Sequence, residues 1–236
     1  MLSKVDVVIP TSRTVNSALL NTLHKADWVA NIYITREKPL SVARKNAVLR
    51  ANTEWVAMFD DDVVIPSDWY WKVAKYVSND IGAVATVAQQ GDRDYAAYDR
   101  IVDAVYGLRR VETSPHINNV LIRRSLMENY DPPMLFLGED QFLKKYVESH
   151  NYKWLVLDNI GVVHFGAVKS KVDVGIAYRR YAHYSLYQLA RRFFARMIIV
   201  PFAAAANLSF KTLIKLSAEN VQFISGWLKE TVSKKG

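Results

Sequence analysis

Short apolar runs alternate with stretches of helical spacing along most of the chain. Val5 to Ile9 reads as a strand, stopped by Pro10 and followed by the polar loop Thr11-Ser12-Arg13. Ala18 to Ala26 has helical spacing, and Trp28–Thr35 reads as a second strand. Residues 41–52 predict a helix, with apolar positions at Val42, Ala43, Ala47, Val48 and Ala51. Trp55-Val56-Ala57-Met58-Phe59 is apolar throughout, the pattern of a strand buried on both faces. Pro66-Ser67-Asp68 opens the next helix with Ser67 as its N-cap, and residues 81–88 supply another strand. After a helix around residues 95–110, strands are predicted at 117–122, 154–157 and 161–165, with a helix from about Glu139 to His150.

This alternation predicts an α/β fold, a mostly parallel sheet flanked by helices. Ligands of such sheets gather beyond the carboxyl ends of the strands. Thr11-Ser12-Arg13 and Asp60-Asp61-Asp62 both fall at such ends.

Composition narrows the reading. With 236 residues, half of them hydrophobic, the chain can bury a sizeable core and is not of a disordered class. It has no cysteine, so a metal must take oxygen or imidazole ligands. The first apolar run is too short for the core of a secretory signal, which predicts a catalytic part on the cytoplasmic side.

Charge is segregated along the chain. Residues 169–236 hold 12 Lys+Arg against 3 Asp+Glu, while residues 1–168 hold 19 against 20. The basic excess predicts an anionic surface as partner, either membrane or nucleic acid. Between Val174 and Ala195, Arg179, Arg180, Arg191 and Arg192 interleave with Tyr178, Tyr181, Tyr184, Tyr187, Phe193 and Phe194. That mixture suits a helix lying among lipid headgroups, which favours the anionic membrane surface over nucleic acid. The apolar stretch 197–206 is shorter than the roughly 20 residues a span needs. The expected organisation is a catalytic domain over residues 1–168 and a basic, aromatic, membrane-associating tail of amphipathic helices over residues 169–236.

Three consecutive carboxylates at a strand end repel one another unless cations or donors neutralise them. A divalent ion does so directly, and oxygen ligands favour Mg²⁺, Mn²⁺ or Ca²⁺. A solvated acidic turn is the plain alternative, but Val63-Val64-Ile65 returns at once to apolar sequence.

Several ordered elements resemble family 2 glycosyltransferases of the GT-A (Rossmann-like) fold, over about residues 5–166. They are Val7-Val8-Ile9-Pro10-Thr11, Ala43-Arg44-Lys45-Asn46, the Asp-x-Asp pair Asp60/Asp62, Asn119-Val120-Leu121-Ile122-Arg123-Arg124 and Gly138-Glu139-Asp140. The resemblance implies donor contacts from the loop of Pro10, Thr11 and Arg13 and from Arg44 and Asn46, with Glu37 near the base. It implies Asp60 facing the nucleoside or sugar, and Mn²⁺ or Mg²⁺ held by Asp62 with Asp60 and His164. Asp140 is the implied base of an inverting transfer, and Glu139 orients the acceptor. Asp61 has no assigned role.

Within the family the chain is similar to dolichyl-phosphate mannosyltransferases and to minimal cellulose-synthase-like enzymes. Gln188, Arg191 and Arg192 resemble an acceptor-side Gln-x-x-Arg-Trp element in which Arg192 replaces the Trp. The implied reaction moves a hexose, with mannose from GDP-mannose as first choice, to a lipid-linked or lipid-phosphate acceptor at the cytoplasmic face. A UDP-sugar enzyme making a glycolipid or polysaccharide is one alternative, and a membrane-tethered nucleotide-sugar-binding protein is another. A sugar-phosphate nucleotidyltransferase would need a Gly-rich phosphate loop, which Val8 to Arg13 lacks.

Overall fold

The computed structural model describes residues 4–106, 115–133, 139–166, 171–180 and 185–233. They form two compact units. One takes the described residues of 1–89, 110–134 and 139–166, and the other those of 90–109 and 167–236.

The first unit is built on a sheet of seven strands in the order β2-β1-β3-β6-β5-β7-β4. These are β1 (Val5–Pro10), β2 (Val29–Thr35), β3 (Trp55–Phe59), β4 (Val63–Val64), β5 (Ile81–Gln90), β6 (Asn119–Arg123) and β7 (Lys153–His164). Its helices are α1 (Ser17–Lys25), α2 (Leu40–Arg50), α3 (Trp69–Ala74) and α5 (Glu139–Ser149), with α4 (Arg93–Tyr106) between them in sequence but in the second unit.

The apolar residues of β1 and β3 separate cleanly by the two-residue period of a strand. Val5, Val7 and Ile9 of β1 and Trp55, Ala57 and Phe59 of β3 enter one core with Leu19, Leu23, Trp28, Trp69 and Tyr70. Val8, Val56 and Met58 enter the other, with Ala47 and Val48 of α2 and Leu143 and Val147 of α5. Covering both faces explains why neither strand alternates with polar residues. Each large side chain so buried contributes about 1.5–3 kcal/mol.

The sheet is mixed, where the sequence pattern suggested a mostly parallel one. β1 runs parallel to β2 and β3, but β6 runs antiparallel to β3, with Trp55 opposite Arg123 and Phe59 opposite Asn119. β5 pairs antiparallel with β6, and β4 with β7. An apolar run buried on both faces reads the same in either direction, so hydrophobicity alone does not reveal the reversal.

Two local expectations also change. The two strands predicted at 154–157 and 161–165 are one strand, β7, which takes the left-handed region at Asn159 (φ 59°) and Gly161 (φ 87°) without ending. Asn and Gly are the residues that tolerate that region best. Ser67 is not a cap: α3 begins after Asp68, and the Ser67 carbonyl instead accepts from Trp28 Nε1 at 3.1 Å.

The second unit contains α4 with α6 (Lys171–Arg180), α7 (Leu186–Ala206) and α8 (Phe210–Ser233). The stretch expected to form one interfacial helix from Val174 therefore divides, because Ser185 and Gln188 close a reciprocal capping box that starts α7. Gly175 and Gly226 set the contact between α6 and α8. A Cβ on Gly175 would run into the Phe223 carbonyl oxygen, and one on Gly226 into that of Val172.

Polar side chains tie α4 to the other helices. Lys215 bonds Asp92 at 2.7 Å and Asp94 at 3.2 Å, Tyr95 donates to Glu219, and Arg196 Nε donates to Tyr98 at 3.0 Å. Burial pushes the Tyr95 hydroxyl pKa up, and Glu219 adds to the rise. Among the described residues no helix is long and apolar enough to cross a membrane.

Candidate active site

The ends of β1 and β3 place the two polar loops side by side. Thr11 continues the β1–β2 pairing through its N–H to the Thr35 carbonyl at 2.8 Å, next to Pro10, which stands opposite Thr35. Just past β3, the Asp60 N–H reaches the Asn118 carbonyl at 2.9 Å.

The three aspartates then divide. Asp61 turns inward, with its side chain 8% exposed, and accepts from the Thr11 hydroxyl and from Arg13 through Nη2 at 2.8 Å and Nε at 3.1 Å. Its carbonyl also accepts from the Asn16 N–H at 2.8 Å. Asp61 thus ties the two loops together, a task hidden in the sequence because its partners lie about 50 positions away.

Asp62 and Asp60 face a common point with His164. One ligand atom from each lies within 4.8 Å of the others, and all three residues are partly buried. The β4–β7 pairing sets Val63 opposite His164, which brings His164 Nε2 to 3.0 Å from Asp62 Oδ1. An octahedral ion with bonds of about 2.1 Å holds adjacent ligands about 3 Å apart, so this pair fits Mg²⁺, and equally Mn²⁺, at one centre. Burial pushes the Asp62 carboxyl up, but the hydrogen bonds and charges of His164 and Arg13 outweigh it and hold the group down at about 2. Asp62 therefore stays ionised as a metal ligand must. Arg13 Nη2 meets its other oxygen, Oδ2, at 2.6 Å. Hydrogen bonding to Asp61 raises the Arg13 pKa further.

Arg44 is buried beside the acidic cluster. One Nη lies 2.6 Å from Asp60 Oδ1, and the other pairs with Glu139 at the start of α5. A single guanidinium thereby joins the metal cluster to the acidic pair. Asp140, the next residue, accepts from the Gln141 N–H at 2.9 Å and makes no ion pair among the described residues. Ser41, Ile117, Met127, Tyr130 and Leu143 line a small pocket around Arg44 and Glu139.

Glu37 and Asn46 are brought together, with Asn46 Nδ2 donating to Glu37 and Arg50 Nη2 reaching its other oxygen at 2.6 Å. Gln188 and Arg191 lie on α7 in the second unit, Gln188 within the capping box. The Arg192 side chain and Gly138 lie outside the described residues.

The sequence matches the model of glycosyl transferase family 2 over residues 13–131. No curated protein sequence matches the chain. Among solved structures, the mannosyltransferase PcManGT from Pyrobaculum calidifontis, in complex with GDP-Man and Mn²⁺, superposes with a TM-score of 0.58 at 15% identity, covering 98% of this chain and 88% of that one. Glucosyl-3-phosphoglycerate synthase from Mycobacterium tuberculosis, in complex with Mn²⁺, UDP and phosphoglyceric acid, gives 0.52 at 12% identity, covering 75% of each chain. At such identities these likenesses establish the fold, GT-A.

Proposed function

The chain belongs to glycosyl transferase family 2, and on that footing we propose that it transfers a hexose from a nucleotide sugar to a lipid-linked acceptor, with Mn²⁺ or Mg²⁺ held by Asp60, Asp62 and His164. The observation that carries this reading is the convergence of those three side chains at the carboxyl end of the sheet. When bound, the ion offsets the negative charge that builds on the departing diphosphate.

The protein's own groups supply the rest. Thr11 and Arg13 border the nucleotide, and Asp60, fixed by Arg44, faces the donor sugar. As the acceptor hydroxyl oxygen bonds to the anomeric carbon, the bond to the diphosphate breaks and Asp140 takes the hydroxyl proton. That is a single inverting displacement. Glu139, held by Arg44, keeps the first turn of α5 in place for it.

GDP-mannose is our preferred donor, because the neighbour crystallised with GDP-Man is matched across 98% of this chain, tail included. A UDP-sugar is the second choice, since the neighbour crystallised with UDP is matched over 75%.

A lipid acceptor is favoured by the large apolar side chains that α7, the turn after it and the start of α8 leave exposed beside a buried face of Leu189, Ile199, Val200 and Ala203. Arg196, Asn207 and Thr212 are buried, while Phe194 (65%), Phe202 (63%), Leu208 (95%) and Phe210 (73%) are exposed. An exposed apolar face of this kind, flanked by the exposed Arg191 and Lys211, suits an anionic leaflet. The anionic leaflet is the cytoplasmic one, so we place the enzyme on that side. A test is nucleoside-diphosphate release from GDP-mannose, UDP-glucose and other donors, with membrane lipids present, with and without EDTA. We expect lipid-dependent release that EDTA abolishes and Mn²⁺ restores. Full release in the chelator would remove the metal, and release independent of lipid would remove the lipid acceptor.

A further inference from the structure

Arg13 makes two kinds of contact. Its Nε and Nη2 fork onto Asp61, which is buried and further fixed by Thr11, whereas Nη2 alone reaches across to Asp62 Oδ2 at 2.6 Å. The Arg13 side chain is 45% exposed. Asp62 therefore has a cationic group on one oxygen and His164 on the other.

We infer that Arg13 is a placeholder for the divalent cation at Asp62, which yields that carboxylate when the ion arrives with a nucleoside diphosphate, so that ion and nucleotide bind cooperatively. The inference rests on the metal reading above. An ion arriving alone must take Asp62 from a guanidinium that stays tethered next to it by Asp61. Two cations then face each other across a few ångströms, and Arg13 loses a partner without gaining one. An ion accompanied by a diphosphate changes that balance. Phosphate oxygens offer the N–H group that leaves Asp62 an anionic acceptor equivalent to the carboxylate it releases. The Asp61 contact does not need to break, so it serves as the pivot. A ligand shifts such an equilibrium only by its different affinities for the two arrangements, and the nucleotide supplies that difference.

The experiment is Mn²⁺ binding to the full chain by isothermal titration, checked by the electron-paramagnetic signal of free Mn²⁺, alone and with saturating GDP or UDP. In Arg13→Gln, Mn²⁺ alone should bind roughly tenfold tighter than in the wild type, and the enhancement by nucleotide should shrink by a similar factor. Arg13→Lys keeps a charge to steady Asp61, but a single ammonium cannot hold both aspartates as the fork does. It should also bind Mn²⁺ alone more tightly, by a smaller factor. Equal or weaker Mn²⁺ binding in both variants overturns the inference. Asp62→Ala separates this from the premise: if wild type and Asp62→Ala bind Mn²⁺ alike, the metal site itself is misassigned.

Discussion

Arg44 and Asp60 are joined by an ion pair of 2.6 Å in which the arginine is 5% exposed. Because the same guanidinium also holds Glu139, its removal leaves two carboxylates without their shared cation. Arg44→Ala should lower stability by about 3–5 kcal/mol, the usual cost of breaking a buried pair. Arg44→Lys should recover little, since one ammonium cannot serve two carboxylates in the geometry of a planar fork. Chemical denaturation and kcat/KM for both variants check this. A fully active Arg44→Lys would show that charge alone suffices.

His164 and Asp62 should matter through the ion. His164→Ala should raise the Mn²⁺ concentration needed for half-maximal activity by about tenfold or more, and Asp62→Ala should reduce activity by about 10²-fold even at saturating metal. Metal titration of initial rates provides the measurement. An unchanged Mn²⁺ requirement in His164→Ala would take the histidine out of the ligand set.

The depressed Asp62 carboxyl has a consequence for acid stability. Its folded-state value of about 2 lies below the ordinary 3.8, so the stabilisation is complete above 3.8 and is lost as pH falls through about 2. In metal-free buffer, the stability difference between wild type and Asp62→Asn should narrow as pH falls from about 4 towards 2. Urea melts across the range test it, and a gap that does not narrow would contradict the assignment.

In the second unit, Gly226→Ala should force α6 and α8 apart, because the added methyl meets the Val172 backbone, which cannot step aside as a side chain can. A loss of about 1–3 kcal/mol or more is expected. Thermal melts followed by circular dichroism, with limited proteolysis of the tail, read it out. A variant as stable as wild type would show that the helix crossing has room to relax.

The exposed turn after α7 makes a separate prediction. Cosedimentation with anionic liposomes should fall sharply in a double variant of Phe202→Asp near the end of α7 and Leu208→Asp in the turn, both exposed positions. Binding that persists in the variant and vanishes in high salt would assign attachment to the basic residues alone.

Much of this was legible in the sequence because hydrophobic runs and strand ends are local properties. Val5–Pro10, Trp55–Phe59 and the placement of Asp60–Asp62 follow from patterns a few residues long. His164 was identifiable at a strand end through family resemblance, although the β4–β7 register that brings it to Asp62 has no local signature. What stayed hidden depends on distant partners. The inward turn of Asp61, the pairing of Glu37 with Asn46 and Arg50, and the double engagement of Arg44 all link separate segments. The enclosed side of α7 was masked too, because it is apolar on both sides: Leu189, Ile199, Val200 and Ala203 are buried with Arg196, whereas Phe194, Ile198 and Phe202 are exposed.

Asp61 also bears on how this enzyme can be re-engineered. Through Thr11, Arg13 and the Asn16 backbone it makes the loop after β1 and the end of β3 one mechanical piece. A chimera that imports the 11–16 loop from a relative to change donor choice would strand a buried carboxylate unless residues 60–62 travel with it. The two segments form a single transplantable cassette, and libraries that vary one while freezing the other will sample mostly misfitted pairs.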